Sequence, residues 1–163
     1  MVETTHNRTA ASPDKPGVVA LPPFLYGGAF LVVLLFRAVW PLPIVERGSL
    51  RWPGLALSVI AIGLAVWGRR TMVAAGTNVR PSLPATSIVT TGPFRFSRNP
   101  LYCALTLLYL GLTAIFNTWW GVIVLVPLLL VMHFGVVLRE ERYLERKFGE
   151  PYRQYRRSVR RYL

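Results

Sequence analysis

The chain has one cysteine, Cys103, and two histidines, His6 and His133, among its 163 residues. A single thiol excludes an intramolecular disulfide and says nothing about redox compartment. With two imidazoles so far apart, no metal-ligand set is expected. Acidic residues are also scarce: seven Asp and Glu face nineteen Lys and Arg, a formal net charge of +12. There is no Gly-x-Gly-x-x-Gly fingerprint and no polar stretch long enough for a doubly wound domain, which excludes a dinucleotide fold. No internal repeat is detectable. In a soluble chain the basic excess would point to nucleic acid. Here 53% of residues are hydrophobic and mean hydropathy is +0.41, too apolar for a soluble domain of this size. The Lys and Arg lie mostly outside the apolar runs, so their charge is read as membrane topology and attraction to anionic headgroups, with no nucleic-acid partner.

What the sequence does have is long apolar runs. Residues 1–21 are polar and rich in Pro, Thr and Ala, and read as a flexible tail. A secretory signal is not expected, because the first apolar run is longer than an h-region and no small-residue cleavage pattern follows it. Residues 22–163 form one membrane domain with spans predicted at about 23–40, 53–72, 101–116 and 119–138. Pro41 and Pro43 end the first span, and Arg37 near its end snorkels with no further role. Arg69-Arg70 mark where the second span meets water.

The apolar run from Leu101 to Leu138 is 38 residues. As a single helix it would reach about 57 Å, roughly twice a hydrocarbon core of about 30 Å, so it must be two spans. The one polar break, Asn117-Thr118, lies between Phe116 and Trp119-Trp120 and reads as a tight turn inside an aromatic belt. A hairpin returns the chain to the face it left, which sets Arg98–Tyr102 beside Arg139–Glu141.

Residues 73–98 carry Gly76-Thr77-Asn78, further prolines and Gly92-Pro93, the chemistry of a long loop that serves as a lid or binding segment. In the tail, 139–163, Leu144, Phe148, Tyr152 and Tyr155 fall at helical spacing among Lys and Arg, broken at Gly149 and Pro151. They read as short amphipathic helices on the membrane. Arg69, Arg70, Arg80, Arg95 and Arg98 gather at the 69–98 connection and more Lys and Arg in the tail, whereas the 41–52 loop has only Arg47 and Arg51, so both termini and the loop 73–98 are expected to be cytosolic. The expected fold is all-α: an integral membrane protein, of a bacterial inner membrane, with four transmembrane helices, a C-terminal helical hairpin core and short amphipathic C-terminal helices.

Three features could carry chemistry. Asn99-Pro100 has the residues of an N-cap and first helical position, and a helix N-terminus beside Arg98 would hold an anion, with Tyr102 one turn on. Glu140-Glu141 is the sharper signal. Adjacent carboxylates repel, and they sit near the helix end where cations are preferred, which suggests a bound cation or ammonium. The competing reading is that both face water and pair with Arg139, Arg142 or Lys147. His133 lies seven residues before Glu140, within about 20° of the same helical face, and has the one pKa in the spans suited to taking a proton near neutrality. It could equally be a satisfied structural histidine.

Gly92-Pro93-Phe94-Arg95-Phe96-Ser97-Arg98-Asn99-Pro100-Leu101-Tyr102, the apolar hairpin, Arg139-Glu140-Glu141-Arg142-Tyr143-Leu144 and Phe148-Gly149-Glu150-Pro151-Tyr152-Arg153-Gln154-Tyr155 follow one another in this order. Together they resemble the C-terminal core of the membrane methyltransferases typified by isoprenylcysteine carboxyl methyltransferase, and also phosphatidylethanolamine N-methyltransferase. Asn99 stands where the carboxyl methyltransferases usually have His, closer to the phospholipid enzymes.

The resemblance implies S-adenosyl-L-methionine bound at the cytosolic end of the hairpin, S-adenosylhomocysteine as product, and a lipid or prenylated acceptor arriving from the bilayer. Carried over by position, the cofactor site would comprise Arg98, Asn99, Pro100, Tyr102, Glu140, Glu141 and Leu144, and the catalytic candidates are Arg98, Glu140 and His133. The donor's methionine carboxylate suits Arg98 and its ammonium suits Glu140 or Glu141. Methyl transfer gains mostly from positioning, so a carboxylate acceptor needs no base, whereas an amine or thiol would need His133 or a Glu. The rival readings are an NADPH-dependent membrane reductase of the sterol reductase type and a non-catalytic four-span protein.

Overall fold

The computed structural model describes residues 16–46, 50–79 and 83–162. Most of the expected tail, with His6, and Arg47, Arg80 and Leu163 lie outside the described residues. Within them the chain is helical and has no strand. In order come α1 (Pro22–Val39), α2 (Arg51–Ala74), a 3₁₀ turn (Gly92–Arg95), α3 (Pro100–Ile115), α4 (Trp119–Met132), a π turn (His133–Val137), α5 (Leu138–Phe148) and α6 (Glu150–Ser158). Three helices are long and apolar enough to cross a membrane: α1, α2, and the 30-residue helix Trp119–Phe148 in which α4, the π turn and α5 run on without a break. The remaining apolar helix, α3, has 16 residues and is shorter.

The side chains these helices expose suit hydrocarbon better than water. Phe24, Leu31 and Leu35 on α1, Val59, Ile60 and Ile62 on α2, and Val126 and Leu130 on α4 are all exposed. With no apolar driving force between helices in lipid, close packing has to come from small residues. The seam between α2 and α3 is built this way. A Cβ on Gly54 would stand 2.6 Å from the Gly111 carbonyl oxygen, and one on Gly111 would stand 2.8 Å from that of Gly54. Ser58 turns its hydroxyl onto its own helix, 2.8 Å from the Gly54 oxygen, and presents no unpaired group to the seam. Elsewhere α1, α3 and α4 enclose a core of Tyr26, Val33, Tyr109, Leu128 and Met132, with Val136 of the π turn.

The hairpin turn is where the sequence places it, between Ile115 and Trp119. Asn117 has a φ of 47°, a left-handed conformation that Asn tolerates. Its side chain also fixes the α1–α2 connection. Asn117 Oδ1 accepts from the amides of Ile44 (3.2 Å) and Val45 (3.1 Å), and Nδ2 donates to the Val45 carbonyl at 2.9 Å. Trp120 Nε1 reaches the Trp40 carbonyl at 2.8 Å, and Arg37 Nε the Phe116 carbonyl at 3.0 Å.

Two expectations change. The helix that carries the fourth predicted span does not stop at Leu138 but continues to Phe148, about 45 Å in all, so its last third must project beyond a core of about 30 Å as a continuation of α4 rather than as a separate helix. The π turn holds an extra residue per turn, which rotates everything beyond it by about 100° relative to a straight α-helix. His133 and Glu140 therefore do not share a face.

Candidate functional site

The hairpin's return brings Arg98, just before α3, to Glu141 on α5. Arg98 Nη1 lies 3.0 Å from Glu141 Oε1, and both side chains are under a tenth exposed. Arg161 grips the same carboxylate with two bonds, Nε to Oε1 at 3.0 Å and Nη2 to Oε2 at 2.9 Å. That carboxylate raises the Arg161 pKa above its ordinary value. Glu140 turns elsewhere: its Oε2 accepts from the Tyr102 hydroxyl at 2.7 Å, and among the described residues nothing bonds its Oε1. The two adjacent carboxylates thus point inward to different partners rather than to Arg139 or Arg142.

Both glutamates, with Arg98, Asn99 and Leu144, line the more polar of two pockets, whose other walls include Thr77, Asn78 and Ser87 of the long loop, Tyr152 of α6 and the apolar Met72, Val89 and Phe94. Its cavity is narrow, about 90 Å³ against the roughly 300–1,000 Å³ of a typical small-molecule site, so a ligand of that size would have to part the long loop from α5 and α6. Tyr152 lies beside Arg98 and Glu141, and burial pushes its phenol up to about 12, so it stays neutral. Gly149, at φ +60°, makes the sharp corner that folds α6 back, and Tyr155 then donates to the Phe94 carbonyl at 2.7 Å.

A second pocket, almost wholly apolar, lies on the other side of Tyr102. Tyr26, Tyr102, Thr106, Leu110, Leu129 and His133 contribute to its lining. His133 Nδ1 is 2.8 Å from the Tyr162 hydroxyl, and Tyr26 and Thr106 share a 2.7 Å hydroxyl contact. The Tyr102–Glu140 bond is the partition, because Glu140 belongs to the polar pocket and Tyr102 to the apolar one.

Of the residues singled out from the sequence, Arg98, Asn99, Glu140, Glu141 and Leu144 converge on the polar pocket. Tyr102 and His133 line the apolar one, and Pro100 lines neither, being buried at the first position of α3. Asn99 occupies the N-cap position, yet its side chain caps nothing: Nδ2 donates to the Arg161 carbonyl at 3.0 Å. That bond belongs to a C-terminal strap crossing the start of α3, where Arg98 N also donates to the Arg160 carbonyl at 2.9 Å. The strap supplies Arg161 and Tyr162, which sequence reasoning missed. No periodicity marks them, since they reach their partners by extended chain.

The pocket offers unfilled hydrogen-bonding capacity of both signs. Arg98 Nη1 is taken up by its ion pair with Glu141, but Nε is buried without a hydrogen bond, and among the described residues nothing bonds Glu140 Oε1. A buried guanidinium with an orphaned N–H group favours a carboxylate, and a carboxylate oxygen close by favours an ammonium. The residues present therefore fit a small zwitterion. Among the described residues no group of His, Cys, Asp and Glu is placed to hold a metal ion.

Fold and pockets together define a helical, membrane-type protein with a polar small-molecule site walled off from an apolar one. The profile of the phospholipid methyltransferase family matches residues 50–151, most of the chain, and the chain belongs to that family of membrane methyltransferases. The matched segment includes the small-residue seam, the Arg98–Tyr102 motif, the hairpin and the glutamate pair. An uncharacterized protein of Haemophilus influenzae is 41% identical over 66 residues, which is all of that protein and 39% of this chain. No solved structure matches the chain significantly.

Proposed function

We propose that the protein transfers a methyl group from S-adenosyl-L-methionine to an amine-bearing, lipid-like acceptor at the cytosolic face of a bilayer that it crosses four times, α3 included. The observation that carries this reading is the shared wall: the Tyr102–Glu140 bond separates a pocket suited to a zwitterion from one suited to hydrocarbon. Bound in the polar pocket, S-adenosyl-L-methionine would supply a methyl group activated by its sulfonium. Arg98 would hold the donor's carboxylate through Nε, since Nη1 is turned to Glu141, and Glu140 its ammonium through Oε1. Glu141 has both oxygens engaged by Arg98 and Arg161, so its part is to hold those guanidiniums in place. Leu144 and Asn99 complete the wall.

In-line displacement would require the acceptor nitrogen on the far side of the methyl group from the sulfur, and the Tyr102–Glu140 contact between the two pockets is where donor and acceptor could meet. An amine must be neutral to attack. With both oxygens of Glu140 occupied by Tyr102 and the donor's ammonium, the candidate to take the amine's proton is His133, held by Tyr162 in the apolar pocket. The long loop and the C-terminal strap keep water from the reacting atoms. Support for the amine comes from the family, and support for a lipid-like body comes from the lining of the second pocket.

The test is incubation of the purified protein with methyl-labelled donor and a total membrane lipid extract. Label in a lipid that stays non-volatile after base treatment is the expected outcome. Label released by base as volatile methanol would mark a methyl ester and remove the need for a base, and lipid that stays unlabelled would overturn the proposal.

A further inference from the structure

We propose that the groove beside α5 binds the phosphate of an anionic phospholipid, at a site separate from the two pockets above. The groove is lined by Arg139, Arg142 and Arg146 on one side and by Pro16 and Gly17 on the other. From Leu138 onward the helix is regular, so residues three and seven apart fall on one stripe, and the three guanidiniums span about 10 Å along it. All three arginines are exposed.

Among the described residues these three stand side by side on one groove without a carboxylate counterion. Arg98 and Arg161 share Glu141, Arg153 and Arg157 share Glu150, and Arg156 pairs with Glu145. Among the described residues no carboxylate pairs with Arg139, Arg142 or Arg146. Arg139 Nη1 donates to the Gly17 carbonyl at 2.9 Å, and Arg142 Nε donates to the Leu138 carbonyl at 3.1 Å. Both are neutral acceptors that leave the positive charge unbalanced. Like charges at these spacings repel along the helix, and a multivalent anion seated among them relieves that repulsion.

Position identifies the anion's source. The stripe begins where the 30-residue helix leaves its apolar part, and just before it the same helix exposes Leu130, Val131 and Phe134. A phosphate on the arginines with acyl chains beside those residues is the geometry of a phospholipid at the bilayer boundary. Residues 16–19 close the groove's other side, fixed by the Arg139–Gly17 bond and by Val19 N on the Gly135 carbonyl at 3.2 Å. Pro16 also lines the polar pocket, so a lipid in this groove would press on the wall of that pocket.

The experiment is calorimetric titration of the full chain, in neutral detergent, with short-chain phosphatidylglycerol, short-chain phosphatidylcholine and inorganic phosphate. Phosphatidylglycerol is expected to bind measurably more tightly than either of the others. Arg142→Gln with Arg146→Gln keeps the Arg139–Gly17 bond, and should weaken that binding about twenty-five-fold, since each arginine near an anionic surface contributes about fivefold. Arg153→Gln with Arg157→Gln removes the same charge from α6 and should leave it unchanged. Equal binding of phosphatidylcholine, equal binding of inorganic phosphate, or an unaltered constant in the Arg142/Arg146 variant would overturn the proposal.

Discussion

The adjacent glutamates are expected to respond oppositely to the same substitution. Glu141→Gln removes the charge that balances Arg98, whose side chain is 8% exposed and whose Nε already lacks a hydrogen bond. Breaking a buried ion pair by neutralising one member leaves the other as an uncompensated charge, at a cost of about 3–5 kcal/mol. The low end applies, because Arg161, at 30% exposed, can turn to water, and the new amide oxygen still accepts one bond. About 3 kcal/mol in a chain of this length lowers the melting temperature by about 6–12 °C.

Glu140→Gln is different. The amide oxygen continues to accept from Tyr102, so stability should change by less than about 1 kcal/mol. What it loses is a charged acceptor for the donor's ammonium, worth about 1.5–3 kcal/mol, or roughly tenfold to a hundredfold in affinity. Thermal unfolding in detergent, followed by tryptophan fluorescence, and donor binding on the same samples separate the two. The reasoning is refuted if Glu141→Gln melts within about 2 °C of the parent, or if Glu140→Gln is the less stable of the pair.

Two further predictions concern the scaffold. Gly111→Ala would push a methyl to 2.8 Å from the Gly54 carbonyl oxygen and 3.0 Å from Ser58 N, both backbone atoms, and should cost about 1–3 kcal/mol. Gly63→Ala on α2 meets nothing within 4 Å and should change stability by less than about 0.5 kcal/mol, so equal melting temperatures would contradict the tight seam. Asn117→Ala deletes three hydrogen bonds to the 44–45 backbone and places alanine at φ 47°, an expected loss of about 2–4 kcal/mol. Asn117→Gly loses the bonds without the backbone penalty and should melt between the two.

The parts of this architecture legible in the sequence rest on local signals. A polar pair inside a long apolar run fixes the hairpin, and the hairpin geometry brings residue 98 to residue 141. Gly149 and Pro151 show where the tail breaks into α5 and α6. What sequence reasoning missed depends on chain paths that leave no periodic trace. The π turn at His133–Val137 has no composition of its own, so a regular helix was the only available reading and His133 was set on the wrong face. Arg161 finds Glu141 through an extended strap, and Asn99 gives up its capping role to hold that strap. The small residues Gly54, Ser58 and Gly111 did carry a signal for the α2–α3 seam, a Gly-x-x-x-Ser spacing facing a mid-helix glycine.

The central claim is that Arg98 and Glu140 form a zwitterion site for a methyl donor. Calorimetric titration with S-adenosylhomocysteine tests it directly, with NADPH titrated in parallel. The account predicts saturable binding of S-adenosylhomocysteine that weakens at least about tenfold in Glu140→Gln, and no binding of NADPH. Binding of NADPH instead, or S-adenosylhomocysteine affinity untouched by the Glu140 substitution, would contradict it.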